Sequence, residues 1–312
     1  MSCGILSCRL GLSRRRDHSL SSQRGAVSGS GLNREGIVEK SQVTIREGAI
    51  AYVRQGAGEP VLLIHGIPTS AYLWRDVIPL LARDFSVCAL DLLGYGDSAK
   101  PPKADLSVQA QARYVAEFMM RVGLTHATVA GHDIGGGVAQ LLAVDRPELV
   151  KRLVLLDTVA YDSWPGPEID RLKDPAWDQI IQTLDLHNGF RKALLRGVYH
   201  RERVTDALVG EYVRPFEGLQ GKQAYLRCAR ALNNRDLLFR AAEVEQLSVP
   251  VLILWGEADD YQDVKYGQIL TDQLPVARLV ILKDAGHFLP EDQPEEITRL
   301  MRAFIQETSV RF

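Results

Sequence analysis

A Gly-x-Asp-x-Gly segment near the middle of the chain places an aspartate where a nucleophile could stand. The segment Gly131-His132-Asp133-Ile134-Gly135 lies between a short apolar run and a stretch with helical spacing. A strand, a sharp turn and a helix in this order form a nucleophile elbow, which lifts the central side chain above a sheet. The helix N-terminus also favours negative charge there. Asp133 is therefore a candidate nucleophile, and a plain helix cap is the alternative interpretation.

An acid and a histidine follow the last two apolar runs of the chain. Asp259 comes after one of them, and His287 follows Gly286 after the other. In an open α/β sheet, ligands bind beyond the carboxyl ends of the strands, so we expect these side chains to meet Asp133. His287 would act as a base, and Asp259 would orient its imidazole. Asp157, which closes an earlier run, is an alternative orienting acid.

Two backbone N–H groups are candidates for stabilising an oxyanion. One belongs to Ile134, directly after Asp133, and the other to Ile67 in the segment His65-Gly66-Ile67-Pro68. A pair of N–H groups aimed at a developing negative charge is a common device of acyl-transfer sites. We interpret His65 as structural because it is a single histidine at a strand end.

The elements that must position these groups follow from the pattern of apolar runs. Residues 43–46 and 50–54 flank the turn Glu47-Gly48 and predict a hairpin. Beyond them, runs that are apolar throughout alternate with helical segments, which indicates strands covered on both faces. The runs are residues 61–64, 85–90, 127–130, 153–156, 251–254 and 279–282, and the helical segments include 106–122 and 136–145. This alternation predicts a doubly wound, mostly parallel α/β sheet with helices on both faces.

One long stretch interrupts the alternation. Residues 158–246 contain no strand-like run but hold helical segments at 177–184, 190–198 and 221–232. We therefore predict a helical cap at 158–246, inserted into an α/β core made of residues 37–157 and 247–312. Residues 1–36 are rich in Ser, Arg and Gly, and are interpreted as a disordered extension or a targeting peptide for an organelle.

Composition narrows the class of partner. The 312 residues carry 37 basic and 39 acidic side chains, a net charge of -2. This balance argues against nucleic acid or an anionic membrane as partner. No apolar run reaches the roughly 20 residues of a membrane span. The four cysteines form no metal-binding pair and no disulfide framework, which indicates a reducing, cytoplasmic compartment. We expect no metal or organic cofactor, and the predicted substrate is a small apolar organic molecule.

Several motifs together carry a family resemblance. They are His65-Gly66-Ile67-Pro68-Thr69-Ser70, Leu73-Trp74-Arg75, Asp91-Leu92-Leu93-Gly94-Tyr95-Gly96-Asp97-Ser98, the turn around Asp133, and Gly286-His287-Phe288. With them, the chain from about residue 38 to 305 resembles the α/β-hydrolase superfamily. More narrowly, it is similar to the branch of epoxide hydrolases and haloalkane dehalogenases. The resemblance implies a helical cap over the active site.

The chain departs from the dehalogenase pattern at two positions. Those enzymes usually hold the halide with a Trp directly after the nucleophile and often with an Asn after His-Gly, where this chain has Ile134 and Ile67. Trp164 or Trp177 of the insertion could supply the missing N–H. Epoxide hydrolases of the branch use cap tyrosines instead, and the candidates here are Tyr161, Tyr199, Tyr212 and Tyr225.

The nucleophile type restricts the reaction. A carboxylate that attacks an ester gives an anhydride, whereas attack at a saturated carbon gives an ordinary ester that water can cleave. The first hypothesis is therefore epoxide opening through a covalent alkyl-enzyme ester. The second is haloalkane dehalogenation with altered halide ligands. The third is a protein of the same fold that is non-catalytic or acts on an ester or lactone.

Overall fold

Eight strands form a single sheet in the computed structural model, which describes residues 40–309. The strands are β1 (Ser41–Ile45), β2 (Gly48–Gln55), β3 (Pro60–Ile64), β4 (Ser86–Leu90), β5 (Ala127–His132), β6 (Val150–Leu156), β7 (Val251–Gly256) and β8 (Ala277–Leu282). They are ordered β1-β2-β4-β3-β5-β6-β7-β8. The interpretation of residues 1–36 lies outside the described residues.

Strand pairing matches the predicted hairpin and parallel sheet. The pairs β1–β2 and β2–β4 are antiparallel, and every pair from β4 through β3 to β8 is parallel. Each of the six apolar runs contributes a strand, and β3 to β7 are almost completely buried. The expectation of two covered faces is wrong for the last run, because β8 is the edge strand and Ile281 is 47% exposed.

Helices connect the strands and surround the sheet. The α-helices are α1 (Ile78–Leu81), α2 (Val108–Val122), α3 (Ile134–Asp145), α4 (Pro167–Asp170), α5 (Trp177–Thr183), α6 (Leu186–Gly197), α7 (Asp206–Val213), α8 (Gly218–Arg230), α9 (Arg235–Leu238), α10 (Ala241–Val244), α11 (Lys265–Gln273), α12 (Leu289–Asp292) and α13 (Pro294–Ser309). Short 3-10 helices cover Ala71–Trp74, Pro147–Leu149, Arg171–Lys173, Arg201–Arg203 and Arg214–Phe216. Helices α2 and α3 contact each other, as do α1 and α13.

The stretch between β6 and β7 is helical, with α4 to α10 and no strand in its described residues. The two long predicted helices at its centre appear as α6 and α8, each longer at its N-terminal end than the sequence pattern indicated. Helices α9 and α10, at the end of the stretch, contact α2 and α3 of the sheet region. The limits 158–246 for a separate cap remain a prediction.

Candidate active site

Asp133 stands at the tight turn between β5 and α3. Its φ is 53° and its ψ is -122°, a conformation that costs a non-glycine residue on the order of 1–3 kcal/mol. Glycine is required on both sides of Asp133, because a side chain there would clash with the backbone. A Cβ on Gly131 would lie 2.2 Å from the carbonyl oxygen of Gly135, and a Cβ on Gly135 would lie 2.5 Å from that of His65. The sequence therefore folds here into the strained turn that its glycines permit.

The Asp133 carboxylate is buried and held by backbone N–H groups. Its Oδ2 accepts the N–H of Ile67 at 2.9 Å, and the N–H of Ile134 lies close enough to the carboxylate to lower its pKa. Burial raises the pKa of Asp133 to about 6, although these N–H groups and nearby His287 oppose the rise. The two backbone N–H groups predicted from the sequence, those of Ile67 and Ile134, thus lie beside the same carboxylate.

His287 lies at the end of the loop after β8, beside Asp259. The His287 Nδ1 and the Asp259 Oδ2 are 3.0 Å apart, and both side chains are buried. Burial alone would lower the pKa of His287, but the carboxylates of Asp259 and Asp133 together outweigh it and raise that pKa. The carboxylate is itself fixed, because its Oδ1 accepts the N–H groups of Tyr261 and Gln262 at 2.7 and 2.9 Å. A carboxylate on Nδ1 leaves Nε2 available as a base.

Asp157 lies close to this pair but has a different partner. Its Oδ1 accepts the N–H of Gly256 at 2.8 Å. Burial, together with the neighbouring charge of Asp259, raises the pKa of Asp157 well above its usual range. A carboxyl group that burial holds toward its neutral form stabilises an imidazolium less than a carboxylate does. Among residues 40–309, the ring of His287 is hydrogen-bonded to Asp259 and not to Asp157.

The backbone on both sides of His287 is held by three separate hydrogen bonds. The ring nitrogen Nε2 of His132 lies 2.8 Å from the carbonyl oxygen of His287. The N–H of Phe288 donates to the carbonyl oxygen of Gly197, at the end of α6, at 3.1 Å. The N–H of Gly286 donates to a buried carboxylate described next. These bonds fix the loop that carries the imidazole.

That carboxylate is Asp292, in α12. Its Oδ2 accepts the N–H of Gly286 at 2.9 Å and the N–H of Tyr199 at 3.0 Å. Its Oδ1 accepts the N–H of His200 at 2.9 Å. One buried side chain thereby joins the His287 loop to the segment that follows α6. Neither Asp292 nor His132 carries a local sequence signal, because the partner of His132 and two of the three donors to Asp292 are distant in the chain.

A cavity of about 380 Å³ lies between the sheet and the helical stretch. Asp133, His287, Ile67 and Ile134 line it on the side of the sheet. Apolar and aromatic side chains of the helical stretch line the rest, among them Trp164, Leu172, Trp177, Phe190 and Tyr225. A largely apolar cavity with a few convergent polar groups is the usual form of a small-molecule site.

The four candidate tyrosines differ in their exposure, in their hydrogen-bond partners and in whether they line the cavity. Tyr225, in α8, lines the cavity, and its hydroxyl has no hydrogen-bond partner among residues 40–309. The hydroxyl of Tyr161 donates to Glu245 at 3.2 Å, and that of Tyr212 donates to Glu291. Tyr199 is 48% exposed and lies outside the cavity lining. Of these four tyrosines, only Tyr225 lines the cavity that Asp133 and His287 also line.

Three further aromatic residues of the lining could matter for ligand binding. Trp164 and Trp177 both line the cavity, and the buried Nε1–H of Trp164 meets no acceptor in the described part of the chain. Tyr261 also lines it, but its hydroxyl already donates to the carbonyl oxygen of Ala193 at 3.0 Å. Tyr261 lies two residues after Asp259, and this position was the sequence signal from which its place in the cavity lining could have been predicted.

Comparison with known proteins places this architecture in a family. Residues 59–294 match the profile of a family described as α/β hydrolase fold. The chain therefore belongs to the α/β-hydrolase family, as its sheet order and nucleophile-elbow turn indicate.

More particularly, the protein is a hydrolase of the epoxide hydrolase and haloalkane dehalogenase type. It is 32% identical over 280 residues to a soluble epoxide hydrolase of Corynebacterium sp. (strain C12), covering 84% of this chain and 92% of that protein. It is 31% identical over 266 residues to haloalkane dehalogenase 2 of Mycobacterium bovis, covering 80% and 89%. The solved structure of the epoxide hydrolase CorEH without ligand is 28% identical, with a TM-score of 0.77 and coverage of 86% and 99%. Within residues 40–309, no helix has the length and apolar character needed to span a membrane.

Proposed function

We propose that the protein opens epoxides through a covalent ester on Asp133. The observation that carries this proposal is Tyr225, which lines the same cavity as Asp133 and His287 and whose hydroxyl has no hydrogen-bond partner among the described residues. The side chain of Ile134, directly after the nucleophile, offers no N–H to a departing halide. An alkoxide leaving group, by contrast, can be stabilised by a phenol.

The first step forms the ester. Oδ2 of Asp133 accepts the Ile67 N–H, so Oδ1 attacks the epoxide carbon, and the ring C–O bond breaks. Tyr225 donates a hydrogen bond to the epoxide oxygen as negative charge develops on it. Burial raises the pKa of Tyr225 to about 12, which keeps the phenol protonated until the alkoxide forms.

The second step cleaves the ester. Nε2 of His287 takes a proton from water, and the hydroxide oxygen adds to Cγ of Asp133. The N–H groups of Ile67 and Ile134 stabilise the resulting oxyanion. Collapse breaks the bond between Cγ and the alkyl oxygen, and the imidazolium proton goes to that oxygen. The other hydroxyl of the diol took its proton from Tyr225 when the alkoxide formed, and the Asp133 carboxyl left by the collapse returns a proton to the Tyr225 phenolate through water. The diol then leaves. Asp259 stabilises the imidazolium while it exists.

Isotope labelling in a single turnover tests this route. Enzyme in excess of a small epoxide, in water enriched in oxygen-18, should give a diol without the label. The label should instead appear in the carboxylate of Asp133, found by mass spectrometry of the peptide that contains it. Direct attack by water would put the label in the diol and contradict the proposal. Asp133→Ala should form no diol, and activity that survives this substitution would also rule the nucleophile out.

Dehalogenation is the second candidate function, because the Nε1–H of Trp164 is buried without an acceptor. An indole N–H of this kind could hold a halide if a small side-chain rotation brought it to the leaving group. Halide release from small haloalkanes, lost in Trp164→Phe and retained in Tyr225→Phe, would support this function. Diol formation lost in Tyr225→Phe and retained in Trp164→Phe would support epoxide opening.

A further inference from the structure

Four charged residues of the helical stretch line the outer part of the cavity. They are Glu168, Arg171, Lys192 and Arg196, and all four are exposed to solvent. Three of the four are cationic, although the chain as a whole carries a net charge of -2. The charge at this rim is therefore opposite in sign to the average of the protein.

Arg196 is already fully engaged by the protein. Its guanidinium forms an ion pair with Glu168 and donates to the carbonyl oxygen of Asp260 at 2.6 Å. It also lies over the ring of Tyr261, 4.4 Å from the ring centroid. Glu168 and Arg196 thus neutralise one another.

Arg171 and Lys192, here called the rim cations, have no acidic partner among residues 40–309. The Arg171 guanidinium lies 5.7 Å from the centroid of the Trp177 ring, which is also part of the cavity lining. Its charge reaches the hydroxyl of Tyr225, where it opposes the rise in pKa caused by burial. Arg171 therefore acts on the interior of the cavity as well as on its mouth.

The acidic residues closest in sequence to the rim cations have other partners in the protein. Asp170 pairs with Lys173 at 2.8 Å. Asp174 accepts the N–H of Ala176 at 2.8 Å, and Asp185 accepts the N–H of Asn188 at 3.0 Å. Donors that the protein leaves unused at the mouth of a ligand cavity are available to a ligand.

We propose that the rim cations bind a carboxylate at the outer end of the substrate. The substrate is then an amphipathic acid. Its carboxylate stays at the mouth, its apolar chain fills the aromatic cavity, and its electrophilic carbon reaches Asp133. A guanidinium offers a planar pair of donors that matches a carboxylate, and the lysine adds a second positive charge. The proposal rests on the proposed function only for the reacting end of this molecule.

Substrate pairs that differ only at the outer end test the proposal. A medium-chain terminal epoxide ending in a carboxylate should have a lower KM than its methyl ester, and the same chain ending in a quaternary ammonium a higher one. Because the rim cations are exposed, each contributes modestly. Arg171→Gln and Lys192→Gln should each raise the ratio of the carboxylate KM to the ester KM about threefold, and the double variant roughly tenfold. Added salt should reduce the preference for the carboxylate in the unsubstituted protein.

Lys173→Gln is the matched control. Lys173 belongs to the same 3-10 helix as Arg171, but it pairs with Asp170 and does not line the cavity. It should leave the KM ratio unchanged. A ratio near one in the unsubstituted protein, or an equal change in the three single variants, would overturn the proposal.

Binding without turnover separates this proposal from the proposed function. Calorimetry should show that Asp133→Asn binds decanoate more tightly than decanol, and that Arg171→Gln together with Lys192→Gln removes the difference. If no epoxide or haloalkane is turned over but decanoate binding behaves in this way, the proposed function fails and the carboxylate site stands. If decanoate and decanol bind equally, the carboxylate site fails whatever the turnover assays show.

Discussion

His132 and His287 are joined by a hydrogen bond from the ring of one to the main chain of the other. Nε2 of His132 lies 2.8 Å from the carbonyl oxygen of His287, and the two ring centroids are 4.8 Å apart. A carbonyl can only accept, so Nε2 of His132 carries the proton. Burial, together with the proximity of His287, holds the pKa of His132 well below its usual value, so the ring stays neutral. His132, the residue directly before the proposed nucleophile Asp133, thus holds the main chain of the proposed base His287 in position.

His132→Phe should slow ester hydrolysis more than ester formation. The phenyl ring retains most of the packing but cannot hold the His287 carbonyl, and a small displacement of a base can cost up to about a hundredfold in rate. Rapid quenching with mass spectrometry would show the alkyl-enzyme accumulating before steady state. His187→Phe, an exposed histidine of α6, is the control. Equal slowing of both steps would mean that His132 does not act on the base alone.

His287→Gln should trap the intermediate. Glutamine cannot remove a proton from water, whereas attack by Asp133 does not need the imidazole. The intact protein should gain the mass of one epoxide molecule in near-stoichiometric amount, and Asp133→Asn should gain none. An unmodified His287→Gln protein that has consumed substrate would contradict the two-step route.

The two steps should respond differently to pH. The pKa of Asp133 is about 6 because the group is buried, and only its carboxylate attacks, so ester formation should rise with pH through about 6. The pKa of His287 is raised above its ordinary value by Asp259, and only the neutral imidazole is a base. Hydrolysis should therefore rise through a value above about 6.5. Single-turnover rates between pH 5 and pH 9 would separate the two limbs, and rates for both steps that do not change over this range would contradict both.

Asp133→Asn should stabilise the fold at high pH. A carboxyl whose folded pKa is raised to about 6 makes the folded state lose stability as pH rises from its unfolded value of about 4 through 6, by up to ~3 kcal/mol. The asparagine avoids this cost. Urea unfolding should show the variant more stable by about 1–3 kcal/mol at pH 8, with the difference shrinking toward pH 4. Asp272→Asn, an exposed aspartate of α11, should show no such trend.

Asp259→Asn and Asp157→Asn should differ sharply. Asp259 contacts the imidazole at 3.0 Å, so its amide should lower turnover by about a thousandfold or more, by favouring the wrong tautomer. Burial holds Asp157 toward its neutral form, and an asparagine can still accept the Gly256 N–H, so turnover should fall less than about threefold. Steady-state kinetics with one epoxide would suffice. A reversed order would make Asp157 the orienting acid.

Local sequence patterns were enough to predict the sheet and the elbow. The apolar runs and the glycines around Asp133 are short-range signals, and the loop after the last run places His287 near the same edge of the sheet. The four cap tyrosines could not be separated in this way. Their hydroxyls point according to how the helices pack, and this is decided by contacts such as Tyr161 with Glu245 and Tyr212 with Glu291. Asp292 was missed because its three donors come from segments 6 and about 92 residues away in the chain.

The three hydrogen bonds of Asp292 restrict movement at the end of α6. Its carboxylate holds the N–H groups of Tyr199 and His200, after α6, and also that of Gly286, beside His287. Lifting the end of α6 would break these bonds and release the loop that carries the base. We therefore expect the end of α6 to stay in place while His287 acts as the proposed base. Trp164 and Arg171 line the cavity away from these bonds, so we expect substrate to enter on their side.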